Sequence, residues 1–536
     1  MKFALLSDTH YISRRMLCDP EDKITPVQIA AAEQAVLQAA KEFDTILIAG
    51  DLTDDGDRFS HEDFVEFLRS VKAQGKKIYV IFATHDFHHH RAFVRKHGDT
   101  KAEFKEKPWD LPYFDPEGIK WKDYVKPEYK DWSEEDCTPQ LVEACSPEEI
   151  WDMYREFGRD DAFSVEESSF SYCIDLDEKT RVLMLNDIFR NEEALHDISA
   201  TYTPSCFRWI KKMLDKAKED GKFIFVCSHH PFIPTTPIHR LGTSNRNLRS
   251  PASGHTLADM GINLALTGHT HANNIGFLES PKGNILCDIA TASPRFYPPT
   301  FRKIDLDGLD GKISYETVEV EMPSDISIDE KTMREFFYKD FYADYFRQYT
   351  NVKPPLNKIV AEGKVGEYLS LFRKKAGLTD KEFNGIKDKK LFDFLTDVIF
   401  SLVAGDGKFT PETPEYRLLM TVAAFLDSVI DAQPFMDIRG KNLQGYTIKE
   451  IVESLLFKNG HSDNKADIDF TVKPDKKIIT PEYKSFAGDI IMAIICALAV
   501  PASLLLPPIV SIGLPVKTIL KKIDVKKNPA SPKMKY

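Results

Sequence analysis

Five stretches of this chain end in residues able to hold a hard or borderline metal ion: Asp8 with His10, Asp51, His85, His229, and His269 with His271. Each follows or closes a short apolar run rich in β-branched residues, within residues 2–8, 45–51, 77–83, 223–228 and 262–267. Runs of this kind read as buried strands of a parallel sheet. In an open α/β sheet, ligand chemistry gathers at the carboxyl ends of the strands. A lone histidine is more often structural than a ligand, but chance does not readily put Asp or His at each successive tip. Carboxylate oxygens combined with imidazole nitrogens suit Zn, Mn or Fe. The set is large enough for two divalent transition metals. A carboxylate at the central position, Asp51, could bridge them at the spacing of about 3.5–4 Å found in two-metal hydrolytic sites.

Such tips must be brought side by side by alternating strands and helices. After the strand at 2–8 the pattern predicts a helix over 26–41, with Pro26 in its first turn and Ile29, Ala32, Val36 and Ala40 on one face. The strand ending in Asp51, a helix near 60–74 and the strand at 77–83 complete right-handed βαβ units. Residues 87–165 break this rhythm. His88, His89 and His90, Trp109, Trp121 and Trp132, and several prolines read as a long irregular insertion, helical only at 147–158, of the kind that forms lids or binding loops. The rhythm returns with an antiparallel pair at 169–176 and 181–187, a helix at 204–220, and the strands at 223–228 and 262–267. Between these last two lies a loop carrying Arg240, Arg246 and Arg249. Strands at 274–279, 284–290, 301–306 and 312–321 are expected to complete a second, more antiparallel sheet. The expected division is a catalytic part over 1–322, a phenylalanine-rich helical accessory domain over 323–485 and an apolar, lysine-flanked tail over 486–536.

A chain of 536 residues exceeds one compact core. Its net charge of −12 speaks against a nucleic-acid surface. An anionic small substrate stays open, because a bound dication inverts the local field. Eight cysteines without a C-x-x-C pair fit a reduced, intracellular protein with buried thiols. The first strand begins too early for the apolar core of a signal peptide, so a cytoplasmic catalytic part is expected. Residues 490–516 carry no charge, and about 20 apolar residues can span a bilayer. Pro501, Pro507, Pro508 and Pro515 favour a kinked or re-entrant run, and seven lysines follow it, so attachment to the inner face of a membrane is expected. The alternative is an apolar helix covered by protein.

The set Asp8-x-His10, Gly50-Asp51-x-x-Asp54-x-Gly56, Thr84-His85-Asp86, His229 and Gly268-His269-x-His271 resembles the calcineurin-like metallophosphoesterase superfamily over roughly residues 1–320. Each motif is weak alone; five in this order, each after a strand, are specific. The resemblance implies an α/β fold, a four-layer α/β/β/α sandwich, and metal-assisted hydrolysis of phosphoesters. By position it implies that Asp8, His10 and His271 hold a first metal, that Asp51 bridges, and that His229 and His269 hold a second. His85 would protonate the leaving oxygen or stabilise the transition state, oriented by Asp54. Elementary chemistry agrees: two metals acidify a bridging water into a hydroxide for in-line attack, and a leaving alkoxide needs a proton.

One position departs from the family. Ala83-Thr84-His85-Asp86 stands where Gly-Asn-His-Asp or Gly-Asn-His-Glu is usual. The Thr84 hydroxyl is a weaker neutral ligand than an Asn carbonyl, so weaker binding of the second metal, or a water in the gap, is expected. Substrates implied are a small-molecule phosphoester or a lipid-linked phosphate, with a lean towards diesters from the insertion and the tail. Arg246, Arg249 and His88 are candidate substrate contacts. His230, ahead of Pro231, is read as a support for the ligands. The alternative class is a non-catalytic protein-binding scaffold with a degraded second metal site. Thr84 favours it; His85 and Asp54 oppose it.

Overall fold

A computed structural model describes residues 1–16, 23–54, 56–87, 91–96, 102–106, 137–142, 145–187, 202–235, 252–307, 311–350, 361–429, 447–456 and 463–469. Strands β1 (Lys2–Leu6), β2 (Thr45–Ala49) and β3 (Lys77–Ile81) are parallel and joined by α1 (Thr25–Glu42) and α2 (Arg58–Lys72). Pro26 stands in the first turn of α1, where its missing N–H costs nothing. The Asp57 side chain caps α2 by accepting from the Ser60 N–H at 2.9 Å. The insertion holds more regular structure than its sequence announces. Its strands β4 (Arg91–Lys96), β5 (Ala102–Glu106) and β6 (Cys137–Val142) form a small antiparallel sheet before α3 (Pro147–Met153). The dense charges of β4 and β5 and a proline in β6 hide the apolar alternation by which a strand is usually recognised.

The second large sheet begins with β7 (Ser164–Glu166), β8 (Ser171–Asp175) and β9 (Thr180–Leu185) as an antiparallel meander. After α4 (Pro204–Glu219), β10 (Phe223–Ser228) runs parallel to β9; after α5 (Ala252–Met260), β11 (Leu264–Thr267) runs parallel to β10. β12 (Asn274–Glu279) and β13 (Ile285–Ala290) finish this sheet in the order β12-β13-β11-β10-β9-β8-β7. The next two strands do not belong to it, contrary to expectation. β14 (Thr300–Asp307) crosses over and pairs antiparallel with β1, and β15 (Lys312–Glu319) pairs with β14. Strand alternation fixes which face a residue takes, not which sheet edge the strand joins, so the crossover is invisible in the sequence pattern.

The two large sheets pack face to face. Phe3 on β1 stacks on Phe225 on β10, with ring centroids 6.0 Å apart, inside one apolar core that draws Leu5, Leu47, Tyr79, Val182, Leu266 and Ile289 from both sheets. α1 and α2 cover the first sheet through Val36, Phe64 and Leu68. α4 and α5 cover the second through Ile210, Met213, Leu214 and Leu257, against Leu183, Val226 and Ala265. This is the four-layer α/β/β/α sandwich.

A helical segment follows: α6 (Met333–Thr350), α7 (Val365–Leu369), α8 (Asp380–Ile386), α9 (Leu391–Ala404), α10 (Pro414–Val429) and α11 (Ile448–Leu456). It has its own apolar core around Phe394, Leu418 and Val422. A second cluster joins Phe337 and Phe400 to Val27, Ala31 and Tyr297 of the sandwich. The chain then returns as β16 (Lys465–Asp469) and adds an edge strand to β15. The fully buried Arg302 of β14 ties this return down, donating from Nη1 to the Asp463 carbonyl and from Nη2 to the Ala290 carbonyl, each at 2.8 Å. Among the described residues no helix is long and apolar enough to cross a membrane; residues 490–516 lie outside them.

Candidate metal centre

The chain turns sharply at the strand tips. Asp8, His10, Asp51, His269 and His271 adopt positive φ, between 42° and 65°; among the described residues, Phe170 is the only other non-glycine that does so. Left-handed backbone of this kind costs on the order of 1–3 kcal/mol per residue and collects at functional sites. The turns are tied together by main-chain bonds: Asp8 N–H to the Gly50 carbonyl (3.0 Å), His10 N–H to that of Asp51 (3.0 Å) and Gly268 N–H to that of His229 (2.9 Å). Two glycines make the close approach feasible. A Cβ on Gly50, at φ 87°, would lie 2.8 Å from both Ala83 Cβ and His229 Nδ1. A Cβ on Gly268 would overlap Ser7 and lie 2.6 Å from Asp8 Oδ2.

These turns bring the expected residues into one place. Asp8, His10 and His271 each offer a ligand atom, all within 4.8 Å of one another; so do Asp8, Asp51 and His229, and likewise His10, Asp51 and His85. His271 Nε2 lies 3.3 Å from Asp8 Oδ1 and 3.0 Å from His10 Nε2. His229 Nε2 lies 3.1 Å from Asp51 Oδ2. Several ligand atoms are aimed by bonds at their far side, as metal-binding histidines and carboxylates usually are. His229 Nδ1 donates to the Ala49 carbonyl at 2.7 Å, leaving Nε2 to face the carboxylates. Asp8 Oδ2 accepts from the His269 N–H at 2.9 Å, and Asp51 Oδ1 from the His85 N–H at 2.9 Å. Thr84 sits at the same point, its Oγ1 donating to Asp51 Oδ1 at 3.4 Å.

The electrostatics fit a cation. Asp8 and Asp51 are buried, which opposes ionisation. The surrounding imidazoles together outweigh that penalty, His229 foremost at both, with His271 and His10 at Asp8 and His85 and His10 at Asp51, and both carboxyls stay well below the usual carboxylate range. Burial would lower His229 too, but Asp51 and Asp8 raise it to about 10, so the two carboxylates draw a proton onto a buried imidazole. Burial pushes His10 down to about 4 and His269 well below its ordinary value, which keeps both neutral, the ligating form. Asp8 Oδ1 and His229 Nε2 are buried with no hydrogen-bond partner. An unmet buried polar atom costs about 1–3 kcal/mol, and a cation held between them would repay that cost. The donor set of carboxylate oxygens and imidazole nitrogens therefore fits divalent transition metals.

His85 differs from its expected setting in one respect. Its Nδ1–H donates to the main-chain carbonyl of Asp54, at 2.5 Å, not to the Asp54 carboxylate. That carboxylate pairs with Arg295 Nη1 at 2.6 Å. Arg295 is buried, and Gln28 Oε1 accepts from its Nε (3.2 Å) and Nη2 (3.0 Å). Burial opposes the charged form of His85, but Asp51 and the Asp54 carbonyl overcome it and raise its pKa.

Sequence reasoning missed Arg295, along with Ser293, whose Oγ donates to the Asp8 carbonyl at 2.6 Å. Both lie on the crossover between β13 and β14, so the unexpected change of sheet is what carries them under the tips. His230 is nearer the centre than its reading as a support implies. A ring nitrogen of His230 lies within 4.8 Å of ligand atoms of His229 and His269, which themselves lie within that distance of each other. Its signal was in plain view, as the second histidine of a tip pair. His88, Arg246 and Arg249 lie outside the described residues.

With the geometry established, comparison with known proteins names the family. The family model for calcineurin-like phosphoesterases matches residues 1–273, just over half of the 536-residue chain. The chain belongs to the calcineurin-like phosphoesterase family. It is thereby a phosphoesterase of a metal-dependent class, and its clustered Asp and His side chains could hold a metal ion. Solved structures similar to this phosphoesterase include a dimetal phosphatase from Danio rerio, at 12% identity and TM-score 0.34, covering 60% of this chain and 99% of its own. A purple acid phosphatase from yellow lupin matches at 10% identity and TM-score 0.34, over 62% of this chain and 52% of its own. A Staphylococcus aureus protein assigned as a 5'-nucleotidase matches at 15% identity and TM-score 0.33, over 70% and 66%. Among curated proteins, none matches the chain.

Proposed function

We propose that the sheet tips hold two divalent metals, Mn, Zn or Fe, and hydrolyse a small phosphoester. Asp8, His10 and His271 would hold the first metal, Asp51 would bridge, and His229 and His269, with the weak donor Thr84, would hold the second. The observation that carries this reading is the pair of buried carboxylates, Asp8 and Asp51, facing imidazoles from four strand tips, with Asp8 Oδ1 and His229 Nε2 in ion-pair contacts but without a hydrogen bond. When bound, the metals supply a water acidified enough to act as nucleophile near neutral pH. The chain's own residues do the rest. Asp8 and Asp51 neutralise the charge of the metals. His85, held at Nδ1 by the Asp54 carbonyl and inclined to carry a proton, delivers it to the leaving oxygen. Asp54 acts through its backbone, and its carboxylate fixes Arg295 under the loop of His10.

A diester is the favoured substrate. Arg295, the guanidinium beside the centre, is committed to Asp54 and Gln28, so it adds no free positive charge for the second ionisation of a monoester. The proposed division of the chain is 1–322 for catalysis, 323–485 as a helical accessory part and 486–536 as a membrane-contacting tail. If the protein lacking 486–536 partitions to vesicles like the full chain, the tail assignment fails. The central test is metal content together with hydrolysis of aryl phosphate mono- and diesters in Mn, Zn or Fe. Turnover that needs added metal, faster on diesters and lost in Asp51→Asn, is expected. No turnover with any metal, with Asp51→Asn indistinguishable from the parent, would sink the enzyme reading.

A further inference from the structure

The second metal position has a neutral donor too weak for its task, and a third imidazole beside it. We infer that His230 is itself a ligand of the second metal, making that site richer in nitrogen than its motif implies: Asp51, His229, His269 and His230. This rests on the dinuclear reading above.

Three observations carry it. Thr84 Oγ1 spends its proton on Asp51 Oδ1, at 3.4 Å, and has no arm long enough to replace a carboxamide. His230 is buried, its ring centroid lies 4.2 Å from that of His269 and 4.8 Å from that of His229, and a ring nitrogen from each of the three falls within 4.8 Å of the others. The far side of His230 is built as a metal ligand's usually is. Its Nδ1 donates to Asp187 Oδ1 at 2.8 Å, and Asp187 Oδ2 is fixed by the His230 N–H at 3.0 Å and by Ser228 Oγ at 3.1 Å. A carboxylate that takes one ring N–H sets the tautomer and turns the lone pair of Nε2 outward. Asp187, at the end of β9, thus acts through His230 as a positioning residue.

Histidine in place of a neutral oxygen donor favours borderline metals over Mg or Ca. The site should therefore prefer Zn, Co or Fe to Mg more strongly than an oxygen-richer one would.

The test uses the full-length protein, stripped of metal and titrated with Co(II), read by metal analysis and by visible absorption. The parent should take two equivalents. His230→Ala should keep the first equivalent and bind the second at least about ten-fold more weakly, and Asp187→Asn should weaken the second by about 10–100-fold with His230 still present. Two equivalents in His230→Ala with the parent's affinity and spectrum would overturn the inference and leave the dinuclear reading standing. No Co(II) uptake by the parent would overturn both. A measurement on the parent alone guards against a variant that fails to fold. In the Co(II)-loaded, 15N-histidine-labelled protein, the Nδ1–H of His230 should appear among the strongly metal-shifted exchangeable imidazole protons. An unshifted His230 Nδ1–H means that His230 is not a ligand.

Discussion

The sheet tips and the helical segment bury opposite kinds of groups. At the tips, two carboxylates and several imidazoles are out of water, some of their atoms have no hydrogen-bond partner, and five of the residues carry strained backbone. In the helical segment, Phe394, Leu418 and Val422 fill an ordinary apolar core, and charges stay outside, as in the exposed pair Lys364–Asp388 at 3.7 Å. One region spends stability to preorganise charge, and the other supplies stability by burying apolar area. The strain at the tips is tolerable because the crossover, the two sheets and the docked helices hold the tips from several sides. The helical segment touches the tip loops directly: the Asn273 N–H, two residues past His271, donates to the Val403 carbonyl of α9 at 2.9 Å.

Substitutions should separate the two regions. Asp8→Asn should lower metal-dependent turnover by at least about a thousand-fold, since it removes a charge that acts inside a dry site. At neutral pH the metal-free variant should melt lower than the parent, because a carboxylate held well below its usual range stabilises the folded state there. An unchanged melting temperature would mean that Asp8 gains nothing from the imidazoles around it. His85→Asn should cost about 10²–10⁴-fold on alkyl phosphoesters and much less on aryl ones whose leaving group needs no proton. Equal losses on both would remove the acid role. Phe394→Ala should cost about 3–5 kcal/mol in denaturant unfolding, with turnover per folded molecule within about two-fold of the parent.

His61 sharpens the contrast, being a buried polar group beneath the tips whose bonds are complete. Its Nδ1 meets Tyr154 Oη at 3.1 Å, and its Nε2 meets the Asp86 carbonyl at 3.0 Å. Burial lowers its pKa to about 4. A histidine depressed in the folded state contributes stability above its unfolded value near 6.5, and loses it as pH falls towards 4. A depression of this size corresponds to about 3 kcal/mol over that window, so His61→Asn should flatten the acid limb of the stability curve; an unchanged slope would mean that His61 is not the titrating group. The smallest effect should be Lys364→Ala, within about 1 kcal/mol, because its ion pair is solvated.

The strand tips were legible because two signals coincide in short windows: a β-branched apolar run and a ligand residue directly after it. The loops that follow, Asp8 to His10 and His269 to His271, follow the same local logic. Arg295 and Ser293 were not legible, since nothing near them in the chain says that they lie under Asp8 and His10. The family resemblance implies Asp54 as the residue that orients His85, and the atom that does so is the Asp54 carbonyl, because the buried guanidinium of Arg295 competes for the carboxylate.

By itself, then, the sequence determined the order of strands and helices in the sandwich, its α/β character and the residues at its tips. Hydrophobic period and the abrupt appearance of Asp or His are local properties that side-chain chemistry imposes on any fold. Tertiary structure alone decided that β14 and β15 leave the second sheet for the first, that β16 returns to extend that sheet, and that the tip pair His229-His230 comes within reach of His269. Those outcomes depend on pairing between residues far apart in the chain. An edge strand's hydrogen bonds, or a buried carboxylate such as Asp187, can be met by many partners, and only the packed whole selects among them.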